Sequence, residues 1–342
     1  MTKFSTLIGT TATAILLAST AMAQDVTLRL HQFLPLVSGV PANAIEPWIA
    51  KVEAESNGRI KIEHYPSMQL GGSPASLYNQ ARDGVVDIIW TLQGYTPGRF
   101  PKSEVIELPF MTGDAETASR LFHEYIVENA MDEYADTHPL AFHVHGPGWL
   151  HTKDPVNSLE DIEGMTVRGP TRVITNLLQA LGATAVGMPV PAVPEAVAKG
   201  VIDGAALPWE VTIPLKIAEL VENHAGFADE PGLYTAAFVL TMNKDSYNAL
   251  PDDLKAIIDA NSGPELAALM GRAHDVDDIR GREIAESRGN NIVELSDIER
   301  AKFQAVADGV VQDWIADMAK IGVDGQALID AIRAKLQQNS DM

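Results

Sequence analysis

The segment ARDGVVDIIW, residues 81–90, has the pattern of a helix end, a glycine that can cap it, and the start of a buried strand. Residues 85–92, VVDIIWTL, are almost continuously apolar, which is typical of a parallel strand covered on both faces. The preceding chain predicts strands over 26–33 and 59–65 and helices over 41–56 and 73–83. This β-α-β-α-β order predicts an α/β fold with a parallel sheet.

The same pattern restarts in the second half of the chain. Residues 198–209, AKGVIDGAALPW, share the core G-V-[VI]-D with residues 81–90. The shared core has two interpretations: any α/β connection can show it, or the chain forms two similar α/β lobes that use the same junction. The surrounding segments predict strands over 140–149, 165–169, 183–190 and 201–209, and helices over 171–181 and 194–199.

The chain after Pro251 is helical and polar. It predicts a very long helix over 252–287, interrupted or capped near Gly263-Pro264, and only residues 291–295 carry a strand signal. We expect this tail to pack on the outside of the lobes or to bridge them. Its later segments predict two more helices, over 298–321 and 326–336.

The composition limits the classes of partner. The 342 residues include 46 acidic and 25 basic side chains, for a net charge of −21, and no cysteine. A charge of this sign disfavours nucleic acids and anionic membrane surfaces. An anionic ligand must therefore be held by local positive groups, because the overall field opposes it. The lack of cysteine excludes disulfides, thiol catalysis and cysteine-ligated metals.

Residues 1–23 have the pattern of a cleavable signal peptide. Lys3 precedes an apolar run over 12–17, and residues 21–23, AMA, match the small-x-small pattern of a signal peptidase site. We expect cleavage after Ala23 and export of the mature chain. No later segment approaches the roughly 20 apolar residues of a membrane helix, so we expect no membrane insertion of the mature chain.

The stretch GMTVRGPTR, Gly164 to Arg172, concentrates positive charge at the end of a short strand. Arg168 lies inside that apolar strand, and buried arginines are rare unless they are paired. Its guanidinium can form a bidentate pair with a carboxylate, either of an internal acid or of a ligand. Arg172 follows one helical turn later, where it is either a solvated helix residue or a second contact to the anion.

The sequence contains no G-x-S-x-G, Walker A, H-E-x-x-H or G-x-G-x-x-G motif in the required context. His143, His145 and His151 form one local cluster, which could hold a metal or consist of ordinary strand histidines. Four aromatic residues fall near predicted strand ends, where ligands bind in α/β sheets, and they either wall a pocket or belong to the core: Trp90, Tyr95, Trp149 and Trp209.

Taken together, these motifs resemble the signature region of the solute-binding proteins of TRAP (tripartite ATP-independent periplasmic) transporters, of the dicarboxylate type. The resemblance covers essentially the whole mature chain. In the second half it rests on a G-[LM]-K-[VIL]-R-x-P-like motif at Gly164–Pro170, a G-A-x-P-x-x-M-like motif at Gly182–Met188 and a G-x-[VI]-D-G motif at Gly200–Gly204. In the first half it rests on two glycine-containing motifs, at Gly71-Gly72 and at Gly84–Asp87.

The resemblance implies a fold and an activity. The fold is that of periplasmic binding proteins: two α/β lobes, a ligand cleft between them and a long helix that spans both. The first lobe is expected over 24–145 and about 234–273, and the second over 146–233 and about 274–342 with the C-terminal helices. The protein is then a periplasmic receptor, not an enzyme, which closes on a small organic acid and delivers it to a TRAP membrane permease. No cofactor is expected.

The resemblance also implies a set of site residues, with Arg168 forming the salt bridge to the ligand carboxylate. Some sialic-acid-binding relatives carry a second arginine where this chain has Gly148, so sialic acid is not the expected ligand. Related keto-acid binders ligate a cation through a glutamate near a tryptophan, which makes Glu210 a possible cation ligand. The expected ligand-binding residues are Arg168, Trp209, Trp149, Tyr95, Glu210, Phe33, Pro170 and Arg172.

The alternative function is an exported enzyme that acts on a small carboxylic acid. It needs a general base near Arg168, and His145, His151 or Glu210 could serve. A third possibility is a receptor whose closed form contacts a sensor domain instead of a permease. The sequence leaves the identity of the acid open, although Trp149 and Trp209 suggest a compact, partly apolar carboxylate.

Overall fold

The computed structural model describes residues 25–338, so the predicted signal peptide and its cleavage site after Ala23 lie outside the described residues. Two mixed sheets organise the chain. The first sheet contains, in spatial order, β2 (Ile60–Tyr65), β1 (Val26–Gln32), β3 (Ile88–Leu92), β10 (Ala237–Asn243) and β4 (Thr137–Val144). The second contains β11 (Asn291–Glu294), β9 (Asn223–Gly226), β5 (Trp149–Thr152), β8 (Gly204–Leu207), β6 (Thr166–Gly169) and β7 (Thr184–Gly187).

Helices cover both sheets. They are α1 (Glu46–Glu55), α2 (Leu77–Arg82), α3 (Ala115–Asn129), α4 (Arg172–Ala180), α5 (Val193–Ala198), α6 (Trp209–Leu215), α7 (Ile217–Leu220), α8 (Lys244–Asn248), α9 (Asp252–Ala260), α10 (Pro264–Ser287), α11 (Asp297–Lys320) and α12 (Gly325–Gln338). We refer to each sheet with its helices as the first and second lobe. None of the helices between residues 25 and 338 combines the length and the apolar character that crossing a bilayer requires.

The β-α-β-α-β prediction for the first lobe is confirmed. Strand β1 pairs in parallel with both β2 and β3, and all five residues of β3 are buried, as expected for a strand covered on both faces. The second lobe repeats the arrangement, with β6 parallel to both β7 and β8. The α/β fold class with two lobes therefore follows from the same local pattern used twice.

The shared G-V-[VI]-D core adopts the same geometry in both lobes. Gly84 and Gly200 both have a positive φ, of 70° and 69°. The carboxylate of Asp87 accepts a hydrogen bond of 2.8 Å from the backbone N–H of Arg29 on β1. The carboxylate of Asp203 does the same for the backbone N–H of Thr166 on β6, also at 2.8 Å. The structure thus supports the interpretation of two similar lobes that use the same junction.

Several predicted strands are shorter than the sequence suggested, and two of them end near a proline. Residues 140–149 are not one strand, because β4 ends at Val144 and β5 begins at Trp149 in the other sheet. Pro147 between them has no N–H to donate to a ladder. A strand was predicted over 201–209, but the observed strand β8 ends at Leu207. Pro208 follows it, and α6 begins at Trp209.

The long C-terminal helix is interrupted where the sequence predicted, since α9 ends at Ala260 and α10 begins at Pro264 after Gly263, whose φ is 91°. Helix α10 packs against α3 of the first lobe and α6 of the second. Two glycines permit these contacts: a Cβ on Gly271 would lie 2.2 Å from the Ala115 carbonyl oxygen, and one on Gly281 would lie 2.3 Å from that of Trp209. The helix therefore spans both lobes.

The chain passes between the two sheets three times, over 145–148, over 227–236 and along α10. The lobe boundaries near 145, 234 and 273 remain predictions. One part of the tail differs from the expected assignment to the second lobe. Helix α12 returns to α3 of the first lobe, where Lys335 Nζ lies 2.9 Å from Glu128 Oε1.

Gly281→Ala should destabilise the protein by about 1–3 kcal/mol, because its new methyl group collides with the Trp209 carbonyl between α10 and α6. Gly309→Ala on α11 is the matched control, since a Cβ there meets open space, and it should stabilise by up to about 1 kcal/mol. Urea unfolding of the three proteins measures both effects. An unchanged free energy of unfolding in Gly281→Ala would contradict the close helix contact.

Candidate ligand-binding site

A small cavity lies between the two lobes. Both lobes and two of the connecting segments contribute to it. Its apolar wall consists of Phe33, Leu34, Leu92, Pro170, Val190, Leu207, Pro208, Val211 and Phe238, and its polar groups are those of Tyr95, His145, Arg168, Glu210 and Tyr234.

Arg168 is the only arginine or lysine that lines this cavity. It lies on β6 and is 2% exposed. Its Nε donates to the Met188 carbonyl oxygen at 2.9 Å and its Nη1 to that of Ala206 at 3.0 Å. Among residues 25–338, Nη2 has no hydrogen-bond partner and no carboxylate forms an ion pair with the guanidinium. The described part of the chain therefore does not show the alternative in which an internal Asp or Glu pairs with Arg168.

Two tyrosines accompany this guanidinium. The pKa of Arg168 is lowered by burial, and the nearby Tyr95 and Tyr234 act in the opposite direction. The Tyr95 hydroxyl accepts a 2.9 Å hydrogen bond from the backbone N–H of Val190, which joins the first lobe to the second. The buried Tyr234 hydroxyl has no partner among the described residues. One end of the cavity thus offers two donors, Arg168 Nη2 and Tyr234 Oη–H.

Stacked rings form the wall on the first-lobe side. Phe33 stacks on Trp90 with ring centroids 5.1 Å apart, and Trp90 stacks on Phe238 at 5.3 Å. Tyr95 meets Phe33 edge-on at 5.5 Å. Trp90 is buried behind this wall, where its Nε1 donates to His143 Nε2 at 2.7 Å. A flat apolar ligand can continue such a stack.

Glu210 adds a carboxyl group to the same cavity, and it is only 3% exposed. It lies in the first turn of α6, where its backbone N–H donates to Asp278 Oδ1 at 2.7 Å. Burial, with a further contribution from the charge of Asp277, raises the pKa of the Glu210 carboxyl to about 8. The cavity therefore contains one buried cation and one buried acid.

The sequence model for "bacterial extracellular solute-binding protein, family 7" matches residues 39–317. The chain belongs to this family. The family consists of receptors for solutes and not of enzymes, which removes the exported-enzyme alternative and confirms the resemblance to TRAP solute-binding proteins.

Solved structures agree with this assignment. The binding protein is 50% identical to a TRAP solute-binding protein from Rhodoferax ferrireducens T118, solved with copurified benzoate, at a TM-score of 0.90 over 92% of this chain and 99% of that one. It is 45% identical to a marine-metagenome TRAP solute-binding protein specific for aromatic acid ligands, solved with 3-hydroxybenzoate, at the same TM-score and coverage. A curated relative, the outer membrane transporter protein TsaT of Comamonas testosteroni, is 26% identical over 96% of this chain and 97% of its own length.

The structure brings together five of the eight residues expected to contact ligand: Phe33, Tyr95, Arg168, Pro170 and Glu210. Trp149 and Trp209 do not line the cavity. They pack against each other, with ring centroids 5.5 Å apart, in a small apolar cluster that includes Ala285. Because the strand before Trp209 ends two residues earlier, this side chain belongs to α6 and not to a strand end.

Arg172 also lies away from the cavity. Its Nη2 lies 2.5 Å from Glu104 Oε2 of the first lobe, and its Nη1 lies 2.8 Å from Asp317 Oδ2 on α11. The two lobes also approach each other closely at Gly94 and Thr171, because a Cβ on Gly94 would lie 2.3 Å from Thr171 Cγ2. Arg172 in the binding protein is therefore a contact between the lobes, and its charge is already neutralised.

The three clustered histidines do not converge on one point. His143 accepts from Trp90, and His145 Nδ1 donates to the Gly146 carbonyl oxygen at 2.5 Å. His151 Nε2 donates to the Leu207 carbonyl oxygen at 3.1 Å, and its Nδ1 lies 2.7 Å from His224 Nδ1. Within residues 25–338, no group of three His, Cys, Asp or Glu side chains is placed to hold a metal ion.

Sequence reasoning did not assign Tyr234 and Phe238 to the site. Tyr234 lies in the second connecting segment and Phe238 follows it on β10, in a region where no element was predicted, although the apolar run of β10 was a usable strand signal. This segment is bonded to the first connection: Gly148 N–H donates to the Tyr234 carbonyl oxygen at 2.9 Å, and Thr235 Oγ1 donates to that of His145 at 2.6 Å. Tyr234 and His145 thus line the cavity from the segments that join the lobes.

Glu104→Gln should shift the binding protein toward an open form, because it removes a partly buried ion pair between the lobes. A pair of this kind contributes on the order of 1 kcal/mol, which changes the ratio of closed to open forms roughly fivefold. Asp317→Asn is the matched control, since it removes the partner of Arg172 that lies within the second lobe. Small-angle scattering should show a larger radius of gyration for Glu104→Gln alone, and equal radii would contradict this role.

Glu210→Gln should reduce the loss of stability that occurs as the pH rises. The folded protein binds the Glu210 proton more tightly than the unfolded chain does, because the pKa is raised from 4.5 to about 8. Raising the pH from 5 to 8 therefore costs folding free energy that a glutamine does not lose. The charges facing this carboxyl are those of Asp277 and Asp278, with His274 alongside. Urea unfolding at several pH values measures the difference, and identical pH profiles would show that the carboxyl is not held protonated.

Proposed function

We propose that the protein binds a small aromatic monocarboxylate between its lobes, with the carboxylate on Arg168. The observation that carries this proposal is the buried guanidinium of Arg168, a residue that lines the cavity and whose Nη2 has no partner in the described part of the chain. A buried charge without a counterion is costly, so the site favours a ligand that supplies one. In a chain with a net charge of −21, this local cation is what attracts the anion.

The donors at this end suit a carboxylate. Its two oxygens can accept from Arg168 Nη2 and from the Tyr234 hydroxyl, both of which lack partners among residues 25–338. Hydrogen bonds to an ionised acceptor are about twice as strong as neutral ones. They gain further in a site with little water, because the effective dielectric constant is low. One carboxylate can therefore satisfy both donors at this end of the cavity.

The walls support an aromatic ring as the remainder of the ligand. Phe33 and Phe238 present ring surface, and Leu92, Leu207 and Val211 add aliphatic contacts. The similar proteins solved with benzoate and 3-hydroxybenzoate support the same class of ligand for this chain. Long dicarboxylates and sugar acids fit these walls poorly, because their polar groups would lose water without gaining partners.

We further propose that the closed protein delivers this acid to a TRAP membrane permease from the periplasm. Family membership supports a periplasmic receptor, and cleavage of the signal peptide after Ala23 would release it there. Closure of the lobes couples ligand binding to delivery, since a ligand that contacts both lobes stabilises the closed form. A permease that recognises the closed surface then receives only loaded protein.

Arg168→Met should weaken binding of benzoate by at least roughly 100-fold, because removing one partner of a buried ion pair costs about 3–5 kcal/mol. Arg168→Lys should lose most of the affinity as well, since an ammonium cannot reproduce the planar fork that bonds Met188 and Ala206. Arg82→Met is the control, because Arg82 is paired with Asp83 on the surface.

Isothermal titration calorimetry measures the affinities, and thermal unfolding without ligand confirms that each variant is folded. Benzoate should also raise the unfolding temperature of the wild-type protein, as a ligand of the folded state must. Unchanged benzoate affinity in both Arg168 variants would refute the assignment of this residue.

A further inference from the structure

The proposed binding mode leaves one buried polar group of the cavity without a function. Within residues 25–338, no donor forms a hydrogen bond to the carboxyl of Glu210, which is 3% exposed. His274 lies beside it, with Nδ1 3.2 Å from Oε1 but outside hydrogen-bond geometry. A buried carboxyl without a donor is costly, so a ligand that brings a donor gains free energy there.

The backbone holds this carboxyl in a defined place. The N–H of Glu210 donates to Asp278 on the spanning helix α10 at 2.7 Å. The Thr212 hydroxyl donates to the Trp209 carbonyl oxygen at 2.6 Å, which secures the first turn of α6. Gly281 lets α10 approach that turn closely, as described above. Packing and hydrogen bonds within the protein thus fix the position of Glu210.

Arg168 and Glu210 differ in the groups with which their charges interact. The charge of Arg168 affects the pKa of Tyr95, Tyr234 and His145, whereas the charge that affects the pKa of Glu210 is that of Asp277. A ligand carboxylate near Glu210 would also face the charge of Asp277, and like charges repel. The ligand is therefore oriented with its acid at Arg168 and its remaining substituents toward Glu210.

We propose that Glu210 is a specificity-determining residue that accepts a hydrogen bond from a hydroxyl group on the aromatic ring of the ligand. The protein then prefers hydroxylated aromatic acids to unsubstituted or alkylated ones. A carboxyl keeps an acceptor oxygen in either protonation state, so the role does not depend on its charge. This inference rests on the proposed function and adds the chemistry of the second ligand group.

His145 is the competing acceptor. Its Nδ1 donates to Gly146, which leaves the Nε2 lone pair of the neutral ring available, and the ring lines the cavity. Its ring centroid lies 6.4 Å from that of His274, whose Nδ1 is 3.2 Å from Glu210 Oε1, so His145 and Glu210 lie in the same part of the cavity. The two candidates are distinguished by separate variants, Glu210→Leu and His145→Gln.

The test is a set of calorimetric affinities for 3- and 4-hydroxybenzoate, with 3- and 4-methylbenzoate as controls of similar shape that lack the donor. The wild-type protein should bind at least one hydroxylated acid roughly 10- to 100-fold more tightly than its methyl counterpart, the range for a hydrogen bond to a buried carboxyl. Glu210→Leu should abolish or reverse this ratio. Glu210→Gln, which keeps an acceptor oxygen, should retain most of it, and it also serves if the leucine variant does not fold.

The outcomes separate this inference from the proposed function. If all four acids bind and the ratio is absent, or is unchanged in both Glu210 variants, the role of Glu210 is refuted and the proposed function stands. A ratio that is lost in His145→Gln but kept in Glu210→Leu assigns the role to His145 and also refutes the inference. If the wild-type protein binds none of the four acids, the proposed function fails and the inference fails with it.

Discussion

The structure of the site depends on the burial of Arg168 with one nitrogen left unpaired. A guanidinium inside a protein needs acceptors for its N–H groups, and two backbone carbonyls from Met188 and Ala206 satisfy part of that need. Met188 comes directly after β7 and Ala206 lies in β8, the strands on either side of β6, so the sheet itself positions the side chain. Nη2 has no hydrogen-bond partner among residues 25–338. We propose that an anion entering the cavity satisfies it, which converts a cost in folding into selectivity for that ligand.

Closure of the lobes completes this site. Phe33, Tyr95 and Phe238 come from the first lobe, whereas Arg168 and Glu210 come from the second. Contacts such as Tyr95 to Val190 hold the two together. His145 and Tyr234 lie on the two segments that connect the lobes, so a rotation about these segments changes the cavity directly. A ligand that bonds to both lobes therefore biases one hinge equilibrium between two forms.

The sequence predicted those features that depend on short-range pattern. The β-α-β order, the break at Gly263-Pro264 and the paired junctions at Asp87 and Asp203 follow from periodicity, from proline and from glycine at positive φ, which are local properties. Arg168 was also identifiable, because a charged residue in a short apolar strand is rare. Trp149 and Trp209 were expected in the site from their nearness to strand ends and from the resemblance to related binders. The strand before Trp209 ends at Leu207, so Trp209 belongs to a helix.

The sequence by itself determined the fold class, the repeated lobe and the residue that carries the positive charge of the site. Only the tertiary structure decided which groups meet that charge. Arg172 has the same chemistry as Arg168, but Glu104 and Asp317 neutralise it, and those partners lie 68 and 145 positions away in the chain. Tyr234 enters the cavity from a connection that carries no periodic signal. Contacts between residues so far apart depend on how the two lobes pack, and a single sequence contains no local pattern that encodes that packing.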